Sequence, residues 1–339
     1  MKTLRLRLTT AVLATDPALL AAAAILRRGG LVAFPTETVY GLGANALSPA
    51  AVEKIFTAKQ RPHWDPVIVH VASVAAARAL TLTWPEAVAS LAKAFWPGPL
   101  TMLLPRAPQV PALCTAGRDK VGLRMPSHPV ALALIAAAGV PIAAPSANRF
   151  GHTSPTTSAH VLEDLDGRID AILDAGSCDV GVESTVLDPT TDPPIIYRPG
   201  GVTAEQIRSI LGSVKVAERP VSANVPPESI ESPGLGIRHY APRARLILVE
   251  SEAALHAALA TESAVHRTGV LLPSGWAKPE QNVTVLPWGS WSQPESLAHD
   301  LYQQLRALDD LGVEVIVCPM PPPDGIGLAI RDRLRNAAS

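Results

Sequence analysis

Leu31-Val32-Ala33-Phe34-Pro35-Thr36-Glu37-Thr38-Val39-Tyr40-Gly41-Leu42-Gly43 is the stretch from which the fold reads outward. Its first four residues form a short apolar run, the length of a buried strand. Pro35 stops the run, and Thr36, Glu37 and Thr38 crowd the turn behind it. Polar groups beside a core strand are costly without partners, and loops at strand ends are where α/β proteins hold ligands. A capped turn with threonines bonded to backbone accounts for the same residues. Upstream lies a helix with both ends marked: Asp16 caps it, Pro17 takes its first position and Gly29 closes it.

The alternation continues. Ser48 and Pro49 open a helix whose Val52, Ile55 and Phe56 share one stripe. Strands are expected at 67–71, 101–104, 121–124, 140–144, 172–174, 184–188 and 195–198, and helices from Ser73, over 129–138 and near 156–165. Thr203 and Gln206 form a capping box for a helix that ends at Gly212. Many strands separated by helices imply an α/β (α+β) domain around a mixed sheet. Proline and glycine then break up 217–243. From Arg245 a second pattern starts, with strands at 245–249, 269–272, 283–286 and 313–317 and helices at 252–260, 294–311 and 327–337. The expected organisation is a domain over 1–212, a linker over 213–244 and a smaller Rossmann-like α/β domain over 245–339.

Composition narrows the function classes. The 339 residues suit two domains. At 47% hydrophobic and 17% charged, the chain has the material for packed cores and not the profile of disorder. A net charge of -1 argues against a general polyanion binder. The 33 prolines are scattered as turn residues. Cys114, Cys178 and Cys318 include no CxxC pair, which excludes a zinc ribbon and suggests reduced, buried thiols. Leu4-Arg5-Leu6-Arg7 begins a poor signal peptide, and no apolar stretch reaches roughly 20 residues. A soluble cytoplasmic protein without metal ligands of its own is expected.

Chemistry-bearing residues lie at the ends of the expected strands and helices. There is no GxxxxGK[ST], no GxGxxG between strand and helix, and no GxSxG elbow. Lys59-Gln60-Arg61-Pro62 places two cations at a helix end, suited to phosphates or to simple capping. His70 and Arg124 interrupt apolar strands. An arginine in such a place meets an anion, either internal or a substrate carboxylate. Pro145-Ser146-Ala147-Asn148 opens a polar loop that runs through Ser154, and small donors beside glycine approach phosphates closely. Glu183-Ser184-Thr185 and Tyr197-Arg198-Pro199-Gly200 flank the last two strands of the first domain.

Taken in order, these segments resemble the YrdC-type family in its two-domain form, the threonylcarbamoyl-AMP synthases. The matching segments are 34–43, 59–62, 67–70, Trp96-Pro97-Gly98-Pro99-Leu100-Thr101, 121–126, 145–148, 183–186 and 197–200. The linker pieces Ser232-Pro233-Gly234 and Arg238-His239-Tyr240-Ala241-Pro242 follow, and 327–338 resembles the family's C-terminal close. His63-Trp64-Asp65 fills a variable stretch, and Val67 stands where the family favours leucine. The resemblance implies a YrdC-like twisted mixed sheet with helices around a concave cavity, joined to the smaller domain. It implies that L-threonine, bicarbonate or CO2, and ATP with Mg2+ become threonylcarbamoyl-AMP and pyrophosphate. The product would pass to tRNA threonylcarbamoyl-transferase proteins for position 37 of ANN-decoding tRNAs; direct tRNA binding is not decided by the sequence.

By that resemblance Thr36, His70, Arg124 and Ser184 hold threonine. Lys59, Arg61, Ser146, Asn148, Ser154, Arg198 and Tyr240 hold ATP, and Lys59, Arg61, Ser146 and Asn148 carry the catalysis. The linker with Tyr240 is expected to act as a lid that protects a labile carbamate. Two other readings compete. One is an RNA-binding module, opposed by the net charge and the lack of an aromatic RNA-binding signature. The other is the related carbamoyl-adenylate domain of hydrogenase-maturation proteins, opposed by the missing acylphosphatase and zinc-finger segments.

Overall fold

The computed structural model describes residues 2–8, 13–217 and 239–338. The first domain is built on one eleven-stranded mixed sheet. Its strands are β1 (Leu4–Arg7), β2 (Val32–Phe34), β3 (Gly41–Asn45), β4 (Val69–His70), β5 (Leu100–Pro105), β6 (Lys120–Arg124), β7 (Ile142–Ala143), β8 (Ala171–Asp174), β9 (Thr185–Asp188), β10 (Ile195–Arg198) and β11 (Lys215–Val216). They lie in the order β1-β8-β2-β3-β7-β4-β6-β5-β9-β10-β11. The helices are α1 (Pro17–Arg27), α2 (Pro49–Lys59), α3 (Val74–Arg78), α4 (Glu86–Phe95), α5 (Pro129–Ala138), α6 (Ser158–Leu165) and α7 (Ala204–Leu211).

The helix ends follow the sequence signals. Asp16 accepts from the N–H groups of Ala18 and Leu19 at 2.9 and 3.1 Å, a cap that contributes about 1 kcal/mol. Ser48, Ser73 and Thr157 cap α2, α3 and α6, and Thr203 with Gln206 completes the capping box of α7. β2 is buried on both faces: Leu31 and Ala33 enter the main core, while Val32 and Phe34 enter a second one. Residues of α2, α4, α6 and α7 pack into the main core, and α1 and α5 supply the second.

The same period of two places the chemistry. In the middle strands Val69, Leu123 and Leu187 face the main core. Their neighbours Ile68, His70, Arg124 and Ser184 line a cavity on the opposite side.

The second domain has β12 (Arg245–Val249), β13 (Thr268–Pro273), β14 (Thr284–Gly289) and β15 (Val315–Pro319) in the order β12-β15-β13-β14, all parallel. α8 (Glu252–Glu262) covers one face, and α9 (Pro294–Asp310) and α10 (Gly327–Ala338) cover the other. This is the Rossmann-like layering expected. The core under α9 and α10 also takes in Val39 and Val182 of the first domain and Tyr240. Apolar burial therefore runs across the domain boundary.

Two differences from the sequence reading have local causes. Residues 67–71 form a ladder only over Val69–His70, because Val67 N–H bonds to Cys114 O in a loop instead. Lys215–Val216, inside the expected linker, pairs with β10 and extends the first sheet. The linker residues 218–238, including Ser232-Pro233-Gly234 and Arg238, lie outside the described residues. All three cysteines are buried and free. Among the described residues, no helix is long and apolar enough to cross a membrane.

Candidate active site

The cavity is lined by Thr36 and Thr38 from the turn after β2, Gly41 from the start of β3, Arg61 from just past the end of α2, and His70 and Arg124 from β4 and β6. Ser146, Glu183, Ser184, Arg198, His239 and Tyr240 complete its polar wall. Its arginines, histidines and carboxylate are at most 6% exposed, so bulk water has little access to them.

Each cation has a defined seat. Arg124 Nη1 donates to Thr38 Oγ1 at 3.0 Å, and its Nη2 lies 2.7 Å from Glu37 Oε1. The anion beside this strand arginine is thus internal. Arg124 Nε, however, has no hydrogen-bond partner among the described residues. Thr36 Oγ1 is 2.8 Å from Thr38 Oγ1 and donates to Val39 O at 2.7 Å, which makes the turn a compact hydroxyl cluster. His70 is held beside Arg124 by register, since β4 and β6 are parallel neighbours. Burial first, then Arg124, pushes its imidazole down to about 3, so it is neutral near pH 7. Its Nδ1 has no partner among the described residues.

Arg61 sits on Gln60, whose φ of 56° turns the chain sharply out of α2. Its guanidinium donates to Asp65 O and Pro66 O and pairs with Asp65 Oδ1 at 2.8 Å. Burial raises the Asp65 carboxyl to about 6, with Arg61 and Lys59 opposing the shift. Arg198 comes from β10, where the ladder slips by one residue between Ile196 and Arg198. Its Nε and Nη2 donate to Ser184 O at 3.1 and 3.0 Å, and Nη2 reaches Ser184 Oγ at 3.2 Å. Ser184 Oγ also meets Thr101 Oγ1 at 2.8 Å.

Glu183 is the hub toward the second domain. It accepts from Ser154 Oγ at 2.6 Å, Tyr302 OH at 3.0 Å and Arg333 Nε at 2.5 Å. Burial would raise its carboxyl, but Arg333, then Arg198 and these hydrogen bonds, hold it at about 2. His239 and Tyr240 close the wall. His239 N–H donates to Asn336 O of α10, and Ala241 N–H donates to Gly151 O. The segment is therefore tied to both domains.

The site residues expected from the sequence split into two sets. Thr36, Arg61, His70, Arg124, Ser146, Ser184, Arg198 and Tyr240 line the cavity together. Lys59, Asn148 and Ser154 stand behind it. Lys59 is 1% exposed, and its Nζ donates to the carbonyls of Ser146 and Asn148, bracing the loop rather than facing the cavity. Burial, then Arg61, pushes its ammonium well below the usual lysine range. The sequence reading did not single out Glu37, Thr38, Asp65, Thr101, Glu183 or His239 as site residues. Four lie within segments it quoted, and Asp65 lies in the stretch it took as variable. Thr101 ends a quoted segment but reads there as an ordinary strand residue. Tyr302 lies outside every quoted segment, and Arg333 lies in the closing segment 327–338, which was quoted without a site role.

Residues 24–200 match the family model for Sua5, YciO and YrdC proteins, described as telomere recombination. Residues 202–339 match the model described as the C-terminal domain of threonylcarbamoyl-AMP synthase. The chain belongs to the two-domain threonylcarbamoyl-AMP synthase family. It carries threonylcarbamoyl-AMP synthase activity, the first step of the t6A modification of tRNA. The threonylcarbamoyl-AMP synthase of Bacillus subtilis is 45% identical over 95% of this chain and 93% of its own. That of Pyrococcus abyssi is 42% identical over 94% and 93%. The crystal structure of P. abyssi Sua5 complexed with L-threonine superposes with a TM-score of 0.91 at 40% identity, covering 100% of this synthase and 98% of that chain.

Proposed function

We propose that the cavity binds L-threonine and ATP side by side and joins them through a carbamate. The observation that carries this reading is the convergence of three buried arginines, Arg61, Arg124 and Arg198, on one cavity. Such a wall suits two anionic substrates, a carboxylate and a triphosphate. L-Threonine is assigned to Thr36, His70, Arg124 and Ser184, its carboxylate on the Arg124 fork. That a relative is complexed with L-threonine supports the assignment. ATP, entering as its Mg2+ complex with the metal on phosphates and water, is assigned to Arg61, Ser146, Arg198 and Tyr240. Lys59, Asn148 and Ser154 support it from behind.

The threonine nitrogen takes up CO2, or bicarbonate with loss of water, to give a carbamate. A carbamate oxygen attacks the α-phosphorus, and pyrophosphate leaves with the electron pair of the broken P–O bond. No protein nucleophile is required: the chain positions the reactants and neutralises charge. A neutral His70 hydrogen-bonds without repelling the threonine amine. His239 and Tyr240 form the lid that keeps water from the carbamate. Since every charged wall residue is buried, substrates enter only when that segment withdraws. The product then passes, in the cytoplasm, to proteins that modify tRNA.

The test is pyrophosphate release from ATP by the purified protein. Release is expected only with L-threonine and bicarbonate together, with L-serine much poorer, and Arg124→Ala should abolish the response to threonine. No release combined with no binding of ATP or threonine would sink the reading.

A further inference from the structure

Arg333, on α10 of the second domain, reaches the cavity wall at two points. Its Nε donates to Glu183 at 2.5 Å, and its guanidinium carbon lies 5.1 Å from the centre of the Tyr240 ring. The other side of the clamp is Tyr302 of α9, whose ring stacks on Tyr240 at 6.0 Å and whose hydroxyl also donates to Glu183. Tyr240 has φ of 64°, a conformation that a tyrosine keeps only where its surroundings hold it there. The holding groups are these two second-domain side chains. Arg333 is itself 1% exposed, so a planar cation has been buried at the domain boundary for these contacts. Gly181 shows how closely the domains meet: a Cβ there would fall 2.4 Å from Ala298 O of α9.

We propose that Arg333 is a positioning residue of the synthase reaction. It holds the Tyr240 ring in the wall of the active site, and its ion pair with Glu183 fixes the guanidinium in place. The second domain thereby supplies part of the closed site. This rests on the assignment of the cavity as the site of threonylcarbamoyl-AMP formation.

The test uses the full chain with Arg333→Met, plus Glu183→Gln and the double variant, in which no carboxylate is left stranded if the single one folds poorly. Three quantities are read: kcat by pyrophosphate release, the stoichiometry of L-threonine binding, and amide hydrogen exchange over residues 239–242. Arg333→Met should lower kcat about 100-fold, keep one threonine bound per chain, and speed exchange at 239–242 at least tenfold (about 1.4 kcal/mol) while β13 and β15 exchange as before. The double variant should stay about tenfold slower than Glu183→Gln. The proposal is overturned if kcat stays within threefold, if exchange at 239–242 is unchanged or rises equally throughout the chain, or if the double variant matches Glu183→Gln. Should the unaltered protein release no pyrophosphate and bind neither ATP nor threonine, the functional reading fails, and the exchange measurement still decides whether Arg333 holds the Tyr240 segment.

Discussion

Alanine at Gly200 should disable the site without touching a catalytic side chain. A Cβ placed there falls 2.3 Å from Thr185 N, 2.4 Å from Glu183 O and 2.4 Å from Ser184 C. All three are backbone atoms, so no side chain can swing clear. Ordinary contact begins near 3.4 Å, and the turn after β10 must therefore part from the entry to β9 by about 1 Å. Arg198 spans that gap with bonds of 3.0 and 3.1 Å to Ser184 O. Lengthened by about 1 Å they fall outside hydrogen-bond range, and Ser184 moves away from the cavity. A misplacement of that size costs on the order of 100-fold in rate, alongside about 1–3 kcal/mol of overpacking strain. The assay is kcat/KM for L-threonine by pyrophosphate release, with a thermal melt beside it. Gly212 is the control: its φ is +79°, and a Cβ there meets nothing within 4 Å. Gly212→Ala should lower stability by about 1–2 kcal/mol and leave turnover alone. Gly200→Ala with kcat/KM within threefold of the unaltered protein would refute the close packing argued here.

Lys59→Met keeps the stem of the side chain and strands the carbonyls of Ser146 and Asn148, at about 1–3 kcal/mol for each. Both melting temperature and ATP use should fall; a rise in KM for ATP with unchanged stability would instead place Lys59 directly on the nucleotide. His70 makes stability depend on pH. Its folded value of about 3 lies below the ordinary 6.5, so the unfolded chain binds the extra proton between them. Its contribution is complete above pH 6.5 and is lost as pH falls toward 3. Asp65 acts in the opposite sense between 3.8 and about 6, which comparison with His70→Asn cancels. Urea midpoints measured from pH 7 to 4.5 should fall less steeply in His70→Asn, and equal slopes would contradict the assignment. Deleting residues 232–242 should collapse turnover through loss of the lid, with a smaller effect from Tyr240→Phe; turnover unchanged in both would dispose of the lid.

What the sequence made legible was punctuation and period. Asp16, Ser48, Ser73 and Thr203 announced their helices, and the alternation through Ile68–Val69–His70 put core and cavity residues on opposite faces. α4 carried no such sign, because its cap is Pro85 with no side-chain hydrogen bond. β3 opens with Gly41-Leu42-Gly43, which reads as a loop. It is a strand because Gly43 lies against Phe34 and Ile142, where a Cβ would fall 2.8 and 2.9 Å from their side chains. Within the site, the cations were visible as breaks in apolar runs. Their partners were not, since nothing local marks Glu37 for Arg124 or joins Glu183 to a residue 150 positions away. Such pairings exist only once the chain has closed.

The charge balance of the closed site explains why it needs both substrates and both domains. Arg61 is answered by Asp65, Arg124 by Glu37, and Arg333 by Glu183 and Asp332. Arg198 is seated on the carbonyl and hydroxyl of Ser184. On the proposed assignment, an incoming triphosphate would meet Arg198 together with Arg61 at that end. At the other end Glu37 already engages one edge of Arg124. Among the described residues the Nε edge has no hydrogen-bond partner, and a planar guanidinium can take a second carboxylate there without surrendering the first. On the proposed assignment, threonine would add to the internal pair instead of displacing it, and its binding energy would not be spent on breaking a buried bridge. The Glu183–Arg333 pair lies on the wall between these ends and joins the two domains, as Arg306 of α9 also does with Glu163 and Asp164 of α6. If the domains part, both charges become solvated. Closure is thus tied to re-forming this ion pair, whose mutual attraction is strongest where water is excluded, the condition that the proposed carbamate would also require.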